Sequence, residues 1–230
     1  MQFQIDMVLL SVLVTVILSS ILSAYLFRVW YRQSARLYTD LPLVFGISFL
    51  AQSINMFILT LVNLGFAEMT LTLFRIRAIV ISGACIPVLG ALLQIWAPRI
   101  QKHHLRIEFL FAASWFAITF LSPNEVMAMS VLIPMLLAVG VGMLVTFTVT
   151  WKTGRLKEVR SDLMVIAGLF GLVSQVLRVP LMATQYFFIP DVFLAVSSIG
   201  TVLALTNPWY RPDDFARVSP IEVEPRIGTY

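Results

Sequence analysis

Charge is scarce in this sequence. Only 12% of its 230 residues are Asp, Glu, Lys or Arg, about half of the ~25% usual in soluble globular proteins. That deficit, with 59% hydrophobic residues and a mean hydropathy of +0.91, points to a bilayer as the solvent. Cysteine is nearly absent too. Cys85 is the only one and lies inside an apolar run, which excludes an intramolecular disulfide and any multi-cysteine metal or iron–sulfur centre. Histidine is limited to His103 and His104 in a basic connection. There is therefore no embedded histidine pair for haem, no histidine–carboxylate set for zinc or iron and no intramembrane Ser–His dyad for proteolysis. Neither a catalytic constellation nor a cofactor is expected.

What the sequence does contain is a series of long apolar runs. Crossing ~30 Å of hydrocarbon takes about 20 mostly apolar residues, and backbone groups in lipid must be paired internally, which makes such runs helices. Seven are expected: Met7 to Trp30, Leu43 to Asn63, Thr70 to Trp96, Leu105 to Leu121, Val126 to Trp151, Asp162 to Tyr186 and Pro190 to Leu205. The first is too long for the core of a secretory signal and is followed by arginines, so it reads as a membrane helix. Breaks carry turn chemistry. Asp40-Leu-Pro42 opens the second run, Ala97-Pro98 closes the third, and Ser122-Pro-Asn-Glu125 offers a turn and a cap for the fifth. Trp151-Lys-Thr-Gly154 ends the fifth, and Pro190 stands in the first turn of the seventh, where its missing N–H costs little. The fold class is thus an all-α seven-transmembrane bundle over residues 1–208. The tail from Trp209 to Tyr230 is rich in proline and charge and too short for a kinase or other output domain.

The net charge of +4 and pI near 9.5 do not indicate nucleic acid, because the basic residues sit in short connections where orientation explains them. Arg28, Arg32 and Arg36 follow the first run, and Arg99, Lys102 and Arg106 the third. Lys152, Arg155, Lys157 and Arg160 follow the fifth, and Arg211, Arg217 and Arg226 the seventh. The alternate side carries Asp6, Glu68, Glu125 and Asp191 and no Lys or Arg in its connections. Cytoplasmic loops collect Lys and Arg, which puts the N-terminus outside and the C-terminus in the cytoplasm, in a plasma membrane. No internal repeat stands out, which weakens a transporter reading. The seventh run has no lysine for a retinal Schiff base.

Arg75, Arg77 and Arg178 fall outside the loop pattern. All three belong to the outer leaflet, with Arg77 on the order of 10 Å below the boundary. A charge at the bilayer centre costs roughly 2.5–3.5 kcal/mol on insertion scales and usually faces the bundle interior with a partner. Glu68 and Asp191 are the expected partners. Arg75 and Arg77 project ~200° apart, so one should point inward while the other reaches up to the headgroups. Gln52 and Asn55 share a helix face, as do Gln175 and Arg178. Ser197, Ser198 and Thr201 are expected to hydrogen-bond between helices. Pro87, Pro134 and Pro180 fall inside helices and can kink them. Glu108 and Asp162 read as capping and dipole-favouring residues near helix starts. Three roles stand open for the arginines: snorkelling or salt bridges that pin helices, an outward-facing pocket for an anionic or polar ligand, or a charge path for ion movement. The pocket would comprise Arg77, Gln175, Arg178, Asp191, Arg75, Gln52 and Asn55.

Several features come in a set order. Phe74-Arg-Ile-Arg77 opens the third helix and Pro87 lies halfway down it. The basic connection Lys152 to Arg160 follows the fifth, and Ile189-Pro-Asp191 opens the seventh. This order resembles the seven-helix N-terminal sensor region of some membrane histidine kinases, over about Leu9 to Pro208. The resemblance implies perception of a signal within or across the membrane. No kinase module follows the seventh helix here, so the signal would pass to a separate cytoplasmic partner. The expected function is a non-enzymatic, receptor-like bundle in the lipid bilayer. A non-catalytic scaffold subunit among other membrane subunits, and a small transporter or channel, are the alternatives.

Overall fold

The computed structural model describes residues 7–33, 35–154, 158–181, 184 and 186–209. Asp6, Arg155, Lys157, Arg211, Arg217 and Arg226 lie outside them, as does the tail beyond residue 209. Among the described residues all regular structure is helical. The elements are α1 (Met7–Tyr31), α2 (Leu41–Asn63), α3 (Leu71–Trp96), α4 (His104–Leu121), α5 (Glu125–Thr153), α6 (Ser161–Leu181) and α7 (Ile189–Thr206), with a 3-10 turn over Pro98–His103 leading into α4. Seven helices are long and apolar enough to cross a membrane, α4 together with its 3-10 lead-in.

Local chemistry sets the boundaries. Thr70 Oγ1 accepts the Leu73 amide at 3.2 Å and starts α3. Asn124 Oδ1 accepts the Met127 amide at 2.9 Å and starts α5. Each side chain satisfies one of the amides that a helix start leaves without a partner. Gly154 ends α5 in the left-handed region at φ 63°, a conformation in which a Cβ would be strained. α6 is described as helix to Leu181 and contains Pro180, as the sequence suggests. Thr184 and Tyr186 lie outside it, so the helix ends short of Tyr186.

The helices alternate in direction and close into a ring, each packed on its chain neighbours with α7 returning to α1. α4 stands outside the ring, resting mainly on α3, so α3 also reaches α5 directly. α2 touches α7 across the middle, while the backbone of α3 does not approach α6 or α7. One end of the bundle gathers Arg28, Arg32, Arg36, Arg99, Lys102, Arg106, Lys152 and Arg160, and is called the basic end below. The half nearest that end is filled by an apolar cluster including Leu26, Val44, Val88, Leu92, Met143, Phe147 and Leu205. A second cluster, around Trp115, Phe74 and Leu132, joins α3, α4 and α5.

Small residues set the tightest seam. On α6, Gly171 packs so closely that a Cβ there would lie 2.9 Å from Ser197 Oγ, and a Cβ on Gly200 of α7 would lie 3.1 Å from that of Ala167. The Ser174 hydroxyl crosses the same seam to the Pro190 carbonyl at 2.7 Å. At the basic end the Arg160 amide donates to the Ala204 carbonyl at 3.0 Å. α6 and α7 are thus tied at both ends and in the middle. Between the others, Ser23 donates to the Gly46 carbonyl at 2.8 Å, Trp115 Nε1 to the Ala78 carbonyl at 2.9 Å and Trp96 Nε1 to Thr146 Oγ1 at 2.7 Å.

Two polar residues depart from expectation and a third meets it. Ser198 donates to its own helix, to the Leu194 carbonyl at 2.9 Å, and not between helices, because a helical hydroxyl readily finds the carbonyl four residues back. The carboxyl group of Glu108 lies against α3, with Oε1 2.8 Å from where a Gly90 Cβ would be, so it fills an interhelical notch rather than capping α4. Asp162 does stand in the first turn of α6 and takes Arg160 at 2.9 and 2.6 Å.

Replacing Gly171 with Val should wedge α6 from α7. Overpacking of this kind costs about 1–3 kcal/mol, read as a fall of several degrees in unfolding temperature in mild detergent. Val176→Ala, on an exposed face of the same helix, should leave that temperature close to wild type.

Candidate functional site

A polar layer crosses the bundle at the end opposite the basic one. Its anchor is Asp191, set in the first turn of α7 by Pro190 and only 2% exposed. Oδ1 accepts Arg178 Nη2 of α6 at 2.7 Å and Oδ2 accepts the Ser11 hydroxyl of α1 at 2.9 Å. One carboxylate thereby joins three helices. It also sits where the α7 dipole favours negative charge. The expected pairing of a buried arginine with Asp191 is thus present, made by Arg178. Glu68, the other expected partner, forms no ion pair among the described residues.

Arg77 points inward from α3. Its Nε donates to Asn55 Oδ1 on α2 at 3.0 Å, and Nη1 meets the Met69 sulfur at 3.8 Å. Both partners are neutral. No carboxylate forms an ion pair with it among the described residues.

Arg75 faces the other way, towards α4. Its Nε donates to the Thr119 carbonyl at 3.2 Å, and Nη2 to the carbonyls of Phe120 and Ser122 at 3.0 and 3.2 Å. A helix leaves its last carbonyls without partners and carries partial negative charge there, and Arg75 satisfies both. The sequence had left Arg75 as either an inward residue or one reaching the headgroups. The structure gives it a third place, as the cap of a neighbouring helix, and separates it from the other candidates.

Beneath the polar layer lies a chamber of about 240 Å³ bounded by α2, α3, α5, α6 and α7. It fills the space left because α3 does not close against α6 and α7. Its walls are mainly apolar, among them Phe49, Val88, Leu136 and Met143, with Cys85 on the α3 side. Gln52, Gln175, Ser48, Ser197 and Thr201 supply polar groups. Gln52 Nε2 donates to Ser19 Oγ of α1 at 3.1 Å. Helical register stacks this chamber directly under the polar layer. Asn55 stands three residues from Gln52, Arg178 three from Gln175, and Asp191 three from Leu194. In each helix that is the same face, one turn or ~5 Å apart. The arrangement is a mostly apolar pocket with a few convergent polar groups, which suits a small ligand.

Of the seven candidate residues, Gln52 and Gln175 line the chamber, while Arg77, Asn55, Arg178 and Asp191 form the layer over it. Only Arg75 stands apart. Sequence reasoning missed Ser11 and Ser174. A lone serine on an apolar helix carries no signal of its own, and Ser11 meets a partner 180 positions away. It also missed the carbonyls of α4, since backbone acceptors are invisible in residue types.

The chain matches no protein-family model, and neither a curated protein nor a solved structure is significantly similar to it. The likeness to kinase sensor regions rests on the seven-helix architecture alone.

The Arg178–Asp191 pair should behave as a buried ion pair. Arg178→Met or Asp191→Asn alone leaves the other group uncompensated, at about 3–5 kcal/mol. With Asp191→Leu as the second single variant, the double variant Arg178→Met with Asp191→Leu should cost clearly less than the sum of those two singles, measured as a double-mutant cycle of unfolding in detergent.

Proposed function

We propose that this chain is a non-enzymatic, receptor-like integral membrane protein that binds a small ligand in the central chamber and signals to a cytoplasmic partner. The carrying observation is the chamber under the Arg77–Arg178–Asp191 layer. In this reading the basic end is cytoplasmic, by the rule that Lys and Arg collect there, and the polar layer opens to the outer side of a plasma membrane. The apolar cluster nearest the basic end, whose Val88, Met143 and Phe147 also wall the chamber, leaves the inner half poor in polar groups, which disfavours a transporter or channel.

Signal transmission follows from how the helices are tied. α6 and α7 are fastened to one another by Arg178–Asp191, by Ser174 on Pro190 and by Arg160 on Ala204. They move as one hairpin. A ligand between α3 and that hairpin shifts it as a body and displaces the α5–α6 connection, from Lys152 to Arg160, at the cytoplasmic face. The ligand must favour one of the two positions by its own contacts, since only differential affinity moves such an equilibrium.

A scaffold subunit of a larger membrane complex is the second reading, favoured by α4. This helix lies outside the ring and exposes Leu105, Phe109, Leu110 and Leu121. Pull-down in mild detergent from native membranes separates the two. A stoichiometric set of membrane subunits supports the scaffold. Recovery alone or with a soluble signalling protein supports the receptor.

Ala84 lines the chamber, and Ala84→Phe should fill it. The folded yield should stay near wild type while ligand-dependent association with the cytoplasmic partner is lost. For orientation, a cysteine placed at Lys102 in a Cys85→Ser background should react with an impermeant maleimide only after the cytoplasmic face is opened. Labelling from outside overturns the topology.

A further inference from the structure

The two buried arginines over the chamber differ in what holds them. Arg178 has a carboxylate at 2.7 Å and is neutralised by it. Arg77 has an amide oxygen and a thioether. A thioether is a weak acceptor, so the terminal edge of its guanidinium, Nη1 and Nη2, meets no strong acceptor among the described residues. That edge is the fork that matches two oxygens of a carboxylate or phosphate. Asn55 fixes the fork from behind by holding Nε. Placing a cation in this half of an apolar bundle is costly. The chamber begins one turn below Asn55 on α2, at Gln52, and two turns below Arg77 on α3, at Ala84, and the Gln175 amide on the facing helix forms no hydrogen bond among the described residues. A chamber of about 240 Å³ has room for a short apolar chain.

Resting on the reading of the chamber as a ligand site, we propose that its ligand is a short amphiphile with an anionic head. The head, a carboxylate or phosphate monoester, is gripped by Arg77 with the Gln175 amide beside it. A short apolar body fills the space below. Arg178 is excluded as the grip because its charge is spent on Asp191, and Arg75 because it caps α4. The same chemistry is met in a free fatty acid of the surrounding leaflet and in a soluble medium-chain acid.

Cys85 supplies the assay, since it is the only cysteine, lines the chamber and is 2% exposed. The full chain in lipid vesicles is treated with methyl methanethiosulfonate, and the rate of Cys85 modification is followed by mass spectrometry. Decanoate, decyl phosphate and uncharged decanol are titrated as protecting probes. The measured quantity is the ratio of half-protecting concentrations, decanol over decanoate, in wild type against Arg77→Met. The charge-assisted fork predicts that this ratio falls by about tenfold or more in the variant. Arg77→Gln, which can still donate to Asn55, replaces Arg77→Met if the latter does not fold, with the same fall expected. An unchanged ratio, with all three probes protecting, overturns the anionic grip and leaves the chamber reading intact. Protection by none of the probes overturns both. Octanoate added in water and palmitate built into the vesicle lipid identify the source. Protection by palmitate at a membrane content that leaves negligible aqueous acid means entry from the leaflet, and protection by octanoate alone means entry from water.

Discussion

A carboxylate held away from water has to be paired, and in this bundle that requirement organises one whole end. Asp191 keeps its charge among three helices because Arg178 and Ser11 each take one of its oxygens. Ser174 then fixes the carbonyl just before it, so the first turn of α7 cannot rotate without breaking several bonds. Below this point Gly171 and Gly200 let the two backbones approach until hydrogen bonding and packing act together. Lipid gives no hydrophobic drive between apolar helices, so close packing and polar ties of this kind carry the association.

The chamber is the counterpart of that rigidity. α6 and α7 are drawn tightly together, α1 and α2 are stitched by serines, and α3 is turned towards α4 and α5 through Trp115 and Arg75. Each pairing pulls a helix away from the centre. What remains in the middle is space, apolar on its walls and capped by Arg77 and its neighbours. A site made this way is shaped by the scaffold rather than by a mobile loop, which suits recognition by shape with one charged contact.

Most of the fold was legible in the sequence because the lipid constraint is severe. Twenty apolar residues in a row admit a helix and little else, so seven helices and the cap before the fifth could be read directly. The cap at Thr70 was missed because a threonine at the edge of an apolar run reads as part of it. The end of α6 was placed too late because hydropathy continues past Leu181. For the site, unusual charge was the guide. Arg77, Arg178 and Asp191 stood out as expensive residues, and helical spacing placed Gln52 and Gln175 beside them. Periodicity could separate Arg75 from Arg77 by direction but could not say which faced inward. That depends on where α4 ends, a matter of tertiary placement. The chamber itself was invisible, since it results from α3 failing to meet α6 and α7.

The place of Arg75 has a consequence for how the chain is assembled. α4 finishes in carbonyls that are answered by α3, an element synthesised before it, and not by anything that follows. Once α4 leaves the ribosome, its last turn already has its partner. The end of α4 is thus complete before α5 begins with its own cap at Asn124, and the later helices are then tied back to the early ones through Ser11 on Asp191 and Trp96 on Thr146. The order of synthesis is therefore also an order of closure, with the long-range ties made last.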